Sequence, residues 1–430
     1  YDRFTDSIAP HVPNSEDLKL ATALQLFDGV RKELPDGTII PGTIHLGIVA
    51  DPGTFTSEIV EYAARLAPKS VSVNGTDATQ AGLTTAAYKS SASTKSWELD
   101  AGALVLADGG LAALTRIDQL STEARAALQT VMRDQEVNAS KGTATQTLPA
   151  ETAVLASMKP RYGRFDQYEP IAQQIELEPE LVSRFDLLFV ETDVPDVDED
   201  RANAEHILST SYAGEVNTHH EEGRTSNYSQ TEVEHVTEDI EPSIDPETVR
   251  KYVAYARQNC FPTLTDDARD AIQDFYVDLR SKGQDEDAPV PVTARKLEAL
   301  VRLAEASARL RLSDTVTEED ADRVIRLVRS CLQDIGIDPE RGEFDADVVE
   351  AGHSTQDSER TSKAQRDRIK NLKDLIDSLQ DQYEYGVPEE VVIERAEEIG
   401  MDRAKAEYEI EQLKQKGEVY EPSTDHLRTT

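Results

Sequence analysis

IHLGIVADPGTFTS, residues 44–57, carries an apolar run from Ile44 to Val49 into an Asp51-Pro52-Gly53 turn, and the helix-period segment SEIVEYAARLA starts at Ser57. Strand, tight turn and helix N-terminus in that order frame a phosphate-binding loop, because backbone amides and the helix dipole then face the anion. The motif normally closes on Lys followed by Ser or Thr. Here Thr56 stands in the lysine position and Ser57 follows it. The frame of an ATPase is expected without the charge that grips the β- and γ-phosphates.

Working outward, residues 1–210 alternate helix-period segments with short apolar runs. Ala103–Ala107, Thr152–Ala156 and Leu187–Val190 read as buried parallel strands, which gives an α/β class. Residues 211–245 turn polar and acidic and read as a linker or long loop. His219-His220 lies there; with no third ligand in the pattern, the pair reads as loop rather than metal site. Residues 246–336 are helical. Asp245-Pro246-Glu247 is a helix start, Thr293–Leu312 is amphipathic, and Thr317–Asp320 is a capping box. A second acidic linker covers 337–362, and a small helical module with a terminal strand or wing covers 363–430.

At 430 residues the chain holds two or three domains. Lys and Arg number 45 against 83 Asp and Glu, a formal charge of −38, with the acid spread along the chain. That pattern is expected of a protein adapted to high salt, the rival being an acidic protein with basic partners. Two distant cysteines, Cys260 and Cys331, point to a reduced, cytoplasmic setting and to neither a disulfide frame nor a metal knuckle. No apolar run reaches the ~18 residues of a membrane span. The chain starts at Tyr1 without Met, and a fragment is expected.

SIAP (7–10), ALQLFDGVRKELPDGT (23–38), DPGT (51–54), AGLT (81–84), AGALVLADGG (101–110), RYGRFD (161–166), SRFDLLFV (183–190) and VTARKLEALVRLAEA (292–306) occur in order. Together they resemble the AAA+ motor of the archaeal minichromosome maintenance replicative helicases. The resemblance implies an AAA+ P-loop NTPase core with a parallel sheet at 1–210, a helical lid at 246–336 and a C-terminal winged helix at 363–430. It further implies ATP and Mg²⁺ as cofactors, and as partners DNA and other subunits of a ring, a hexamer in the family. It places the chain on the nucleoid in the cytoplasm. The family's N-terminal DNA-binding region has no counterpart in these residues.

The departures sit at the catalytic positions that the resemblance assigns. In the loop Asp51, Pro52, Gly53, Thr54, Phe55, Thr56 and Ser57, the family pattern GDPGTAKS differs at Ala50, Phe55 and Thr56. Thr115 replaces the aspartate that supports Mg²⁺, Arg116 the glutamate that orients water, and Lys159 the sensor asparagine. Ser57 keeps the Mg²⁺-side hydroxyl. Arg184 matches the arginine finger, Arg295 the second-sensor arginine, and Lys141 the pore-hairpin lysine that touches DNA. Phosphoryl transfer is positioning plus charge stabilisation; loss of a general base alone typically costs about 10²–10⁴ in rate. The family residues at these four positions sum to −1, whereas Thr56, Thr115, Arg116 and Lys159 contribute 0, 0, +1 and +1. Two readings stand: Arg116 and Lys159 hold phosphates without Mg²⁺, or Phe55 fills a site that binds nothing. The function expected is an accessory or ring subunit with impaired hydrolysis. The alternatives are an active ATP-dependent DNA helicase and a drifted, functionless copy.

Overall fold

A computed structural model describes residues 1–13, 15–89, 97–141, 144–166, 171–221, 230–237, 240–282 and 293–335, together with short stretches between 387 and 429. Five short strands make one parallel sheet. Helix α1 (Glu16–Phe27) precedes strand β1 (Leu46–Ala50). Helix α2 (Thr56–Leu66), strand β2 (Ser70–Asn74), strand β3 (Leu111–Thr115), helix α3 (Thr122–Asp134), strand β4 (Ala153–Met158) and strand β5 (Leu187–Glu191) follow. The order across the sheet is β5-β1-β4-β3-β2, every pair parallel.

β1 and β4 are buried along their whole length, which is why they read as unbroken apolar runs rather than alternating ones. Alternate residues feed two cores. Leu155, Leu187 and Phe189 pack with Ile59 and Ala63 of α2, whereas Val154, Ala156, Leu188 and Val190 pack with Leu128 and Val131 of α3. The sheet is therefore covered on both faces, and its ligand-binding edge is the one where the strands end.

Two boundaries shift from the sequence reading. β1 starts at Leu46 rather than Ile44, because the amides of Ile44 and His45 are taken by the carboxylates of Asp28 and Asp186, at 3.0 and 2.8 Å, instead of a ladder partner. The run Ala103–Ala107 is not a strand. Ala103–Leu106 forms one helical turn that buries Leu104 and leaves Leu106 54% exposed. A turn with Gly109 at φ +72° follows, and β3 is the next apolar run. Periodicity alone does not separate a short buried strand from a buried helical turn.

The segment read as a linker from 211 onward continues helix α4 (Val197–Glu221), and Gln230–Thr237 is helical too. Sparse small anchors suffice: Ala213, Val216 and Val233 are buried, and the two helices pack on each other. His219 and His220 are exposed on the last turn of α4, and no group of three metal-ligating side chains occurs among the described residues.

The lid comprises α5 (Pro246–Asn259), α6 (Asp266–Lys282), α7 (Ala294–Leu310) and α8 (Glu318–Asp334). Its starts follow the expected chemistry: Asp245 accepts from the Thr248 amide at 3.0 Å, and Thr317 with Asp320 closes a capping box. α7 locks lid to core. Arg309, buried, donates to the carbonyls of Phe27, Asp28, Gly29 and Cys260. Arg302 pairs with Asp186 at 2.6 Å, and Glu305 accepts from the Val30 amide and pairs with Lys32 at 2.7 Å. Cys260 and Cys331 are both buried and free.

Residues 351–430 form a separate compact unit. Its described part includes a three-stranded antiparallel sheet with His426–Thr429 between Val387–Pro388 and Val419–Ser423. Most of the region expected to be a winged helix lies outside the described residues. No helix among the described residues is long and apolar enough to cross a membrane.

Candidate nucleotide site and a detached arginine pair

β1 runs straight into the loop 51–55, and α2 starts at Thr56. Asp51 fixes the loop from inside. Its amide donates to the Glu191 carbonyl at 2.9 Å, and its carboxylate accepts from the amides of Phe165 at 2.7 Å and Asp193 at 3.0 Å. The Thr54 hydroxyl donates to the Asp51 carbonyl at 2.9 Å. Gly53 has φ +103°, and Phe55 has φ +55° and ψ +13°. Phe55 occupies the position that the phosphate-loop motif gives to glycine. Its left-handed backbone costs a residue with a side chain about 1–2 kcal/mol. The Phe55 ring packs half-buried against the core, Thr56 is buried, and Ser57 is exposed.

β4 and β3 end beside this loop. Met158 is level with Val49, and Ala156 with Leu114, so Lys159 lies between the loop and the Thr115-Arg116 corner. Arg116 is left-handed as well, with φ +59° and ψ +45°. Gly75 makes room for it: a Cβ there would come 2.1 Å from the Arg116 carbonyl oxygen. Asp118 ties the corner together. One carboxylate oxygen accepts the Lys159 amide at 3.2 Å; the other accepts Gln119 Nε2 at 2.8 Å and faces Arg116 Nη2 at 3.4 Å. Loop, Thr115, Arg116 and Lys159 thus converge at one edge. The sequence pattern pointed to these positions but not to the clamps made by Asp51 and Asp118, since a carboxylate that holds backbone amides has no signature of its own.

Arg184 is elsewhere. It lies three residues before β5, and β5 starts level with Leu46, so it stands at the opposite end of the sheet from its own loop 51–55. A five-residue strand separates the two ends by roughly 16 Å. Arg295, the second residue of α7, joins Arg184 by donating to Ser183 Oγ at 3.0 Å. Arg184 is half-buried, and its Nε has no hydrogen-bond partner. Burial first, then the charges of Arg295 and Arg133, push its pKa below the usual arginine range, opposed by Asp134 and Glu180. Arg133, which no motif singled out, is thus a third cation on this face. Lys141 ends one arm of an antiparallel hairpin, Glu136–Lys141 with Ala144–Pro149, in register with Ala144 next to the turn.

The model of the minichromosome maintenance P-loop domain matches residues 1–211, and that family's AAA-lid domain model matches residues 247–332. The minichromosome maintenance protein of Saccharolobus solfataricus is 36% identical over 421 residues, 98% of this chain and 56% of that protein. The chain belongs to the minichromosome maintenance family. DNA replication licensing factor MCM4 of Arabidopsis thaliana is 33% identical over 360 residues, 83% of this chain and 40% of that protein. The probable DNA helicase MCM8 of the same plant is 35% identical over 377 residues, 82% and 46%. The chain spans about half the length of the curated relatives it matches.

The minichromosome maintenance fold implies ATP and Mg²⁺ at this edge, and the residues present do not fit that pair. Both oxygens of Asp51 already accept backbone amides, Asp118 is engaged at both oxygens, and Asp193 pairs with Arg164 at 2.9 Å. At the end of β3, Thr115 and Arg116 present a hydroxyl and a guanidinium, and a guanidinium repels a divalent cation.

Proposed function

We propose that this chain is the motor module of a minichromosome maintenance replicative helicase that does not split ATP at its own loop and works as a non-catalytic ring subunit on DNA. In this reading Arg184 and Arg295 serve the Mg²⁺·ATP of a neighbouring, catalytically competent subunit, in a hexameric ring on the nucleoid in the cytoplasm. The observation that carries it is the separation at the two ends of the sheet. The hydrolytic groups at the end of β1, β3 and β4 are gone, while the arginine pair ahead of β5 is intact and out of reach of its own loop. An arginine supplied to another subunit's nucleotide is worth about 10³–10⁵ in rate, so its retention has a use that does not depend on local hydrolysis.

The test mixes this chain with a hydrolysing member of the family and measures ATPase. The mixture is expected to exceed the competent protein alone, and Arg184→Ala is expected to abolish the excess. Equal rates with wild type and variant would overturn the trans role. Metal-dependent turnover by this chain alone would overturn the loss of local hydrolysis.

A further inference from the structure

We propose that the groove between the N-terminal turn Asp2–Thr5, helix α5 and the end of α7 is a docking site for a partner protein, which seats one large apolar side chain there from an acidic segment. The proposal goes beyond the ring role and uses none of the residues named for it.

The groove holds a cavity of about 320 Å³ whose apolar wall is Phe4, Ile244, Val249, Tyr252 and Leu310. That wall is fixed from behind. The rings of Phe4, Phe27 and Tyr252 pack together with centroids 5.1, 5.9 and 6.2 Å apart, and the Tyr252 hydroxyl donates to the Leu310 carbonyl at 2.7 Å. To one side, the Tyr1 hydroxyl donates to the Ser307 carbonyl at 2.7 Å, and the Arg323 guanidinium lies 3.6 Å over the Tyr1 ring. These hydroxyls are satisfied within the protein, so the cavity offers a visitor apolar surface. A fixed apolar pocket of this size takes one large side chain, the chemistry of an interface hot spot. The apolar surface also continues outside the cavity. Tyr255 is one turn beyond Tyr252 on α5, and Phe261 follows α5, where its amide donates to Asp314 beside Leu312. Tyr255, Phe261 and Leu312 are 56, 57 and 40% exposed. The chain has one Trp, 14 Tyr and nine Phe in 430 residues, yet Tyr1, Phe4, Tyr252, Tyr255 and Phe261 gather here. Tyr, Phe and Arg are the types enriched at protein interfaces, and a contiguous exposed apolar patch marks one.

Charge selects the partner. The chain carries a formal −38, yet the charged side chains that line the cavity are Arg3 and Arg311, with no acid among the described lining residues. The acids nearby are spent locally: Asp245 caps α5, Glu247 pairs with Lys251 at 2.7 Å, Asp320 with Arg311 at 2.7 Å, and Asp314 accepts the Phe261 amide. Arg3 makes one hydrogen bond among the described residues, to the Ser243 carbonyl at 3.3 Å. Both guanidiniums keep donors for an incoming carboxylate. Elsewhere the acidic surface repels an acidic segment, whereas here complementary charge draws it in and fixes its register. An apolar anchor between carboxylates matches cavity and rim together. A single nucleic-acid strand would need an open stacking face along a track of cations, not two cations beside one cavity.

Fluorescence anisotropy on the full chain tests this with short labelled peptides that carry one Phe, Leu or Trp among Asp and Glu residues. Saturable binding is expected. Replacing the anchor by Ala should weaken it about thirtyfold, the scale of a truncated hot spot. Replacing the acids by Lys should weaken it about tenfold or more, the scale of a lost charge-assisted hydrogen bond. Thr248→Trp fills the mouth of the cavity and Arg3→Glu reverses a rim charge; both positions are exposed, and thermal unfolding checks that each variant folds. Each variant should lose about tenfold or more in affinity for the acidic peptides. No saturable binding by any peptide, equal affinity for acidic and basic ones, or unchanged affinity in both folded variants overturns the proposal. Sedimentation without peptide addresses the other occupant: self-association that Thr248→Trp disperses would give the groove to a second copy and overturn the partner. Displacement of the peptides by single-stranded DNA at lower concentration than by unlabelled peptide would overturn it as well.

Discussion

Glu191 ends β5, and its carbonyl takes the Asp51 amide; its side chain carries a second consequence. Burial, and then the charge of Asp334, raise its pKa from 4.5 to about 7. A raised acid binds its proton more tightly when folded, so stability falls as pH rises from about 4.5 to about 7 and stays lower above that window. His45 works the other way. Burial lowers its pKa from 6.5 to about 4, so its contribution to stability is lost as pH falls between those values. The two slopes offset between about 4.5 and 6.5. Glu191→Gln should therefore uncover a steeper rise of stability with pH and gain roughly 2–3 kcal/mol above pH 7. Denaturant unfolding from pH 4 to 8 measures both, and an unchanged profile would refute the assignment. At this scale the sequence was informative about identity and silent about conformation. Thr56, Thr115 and Arg116 were readable as residue types at the strand ends, whereas the left-handed backbone at Arg116 depends on Gly75, distant in sequence from the corner it accommodates.

Among the elements, α7 was legible because its apolar residues recur at helical spacing and its neighbours carry capping residues. Its docking was not, because the anchors are polar. Arg302, Glu305 and Arg309 look like solvent-facing charges in the sequence, yet all three are buried against α1, β5 and the loop between α1 and β1. Arg302→Ala strands the Asp186 carboxylate, which also holds the His45 amide, in a dry interior. A loss of about 3–5 kcal/mol is expected from unpairing a buried charge, and the unfolding midpoint measures it. The opposite failure occurred at 211–221, where polar composition suggested a linker although Ala213 and Val216 anchor a helix. The hairpin 136–149 belongs to a different kind of evidence. Its register pairs Lys141 with Ala144, and the family resemblance proposes this lysine as a contact to a phosphate backbone. Lys141→Ala should weaken binding of single-stranded DNA of any sequence and lower the slope of log affinity against log salt by about one. An unchanged slope would remove Lys141 from the DNA contacts.

On the scale of the whole molecule the governing quantity is the formal charge of −38, from 83 acidic and 45 basic side chains. Ion pairs at the surface do little to offset it: those such as Lys251–Glu247 and Arg269–Asp266 join exposed groups, whose attraction is weakened by solvent and salt. The buried pair that matters, Arg302–Asp186, is shielded from solvent ions and should change little with salt. What salt does change is the long-range repulsion among the unpaired carboxylates. Raising KCl from about 0.1 M to about 2 M shortens the screening length from about 10 Å to under 3 Å and should raise the unfolding temperature. Sucrose also favours compact states, by exclusion from the surface, but without screening. A rise in KCl well beyond that in sucrose of equal osmolality assigns the effect to charge. Equal rises would leave self-repulsion no part in the stability of this chain, and a flat response to KCl would remove the case for salt adaptation altogether. The same screening bears on any contact with a nucleic acid: phosphate contacts weaken steeply with log salt, so DNA affinity should be measured at the salt where the fold is most stable.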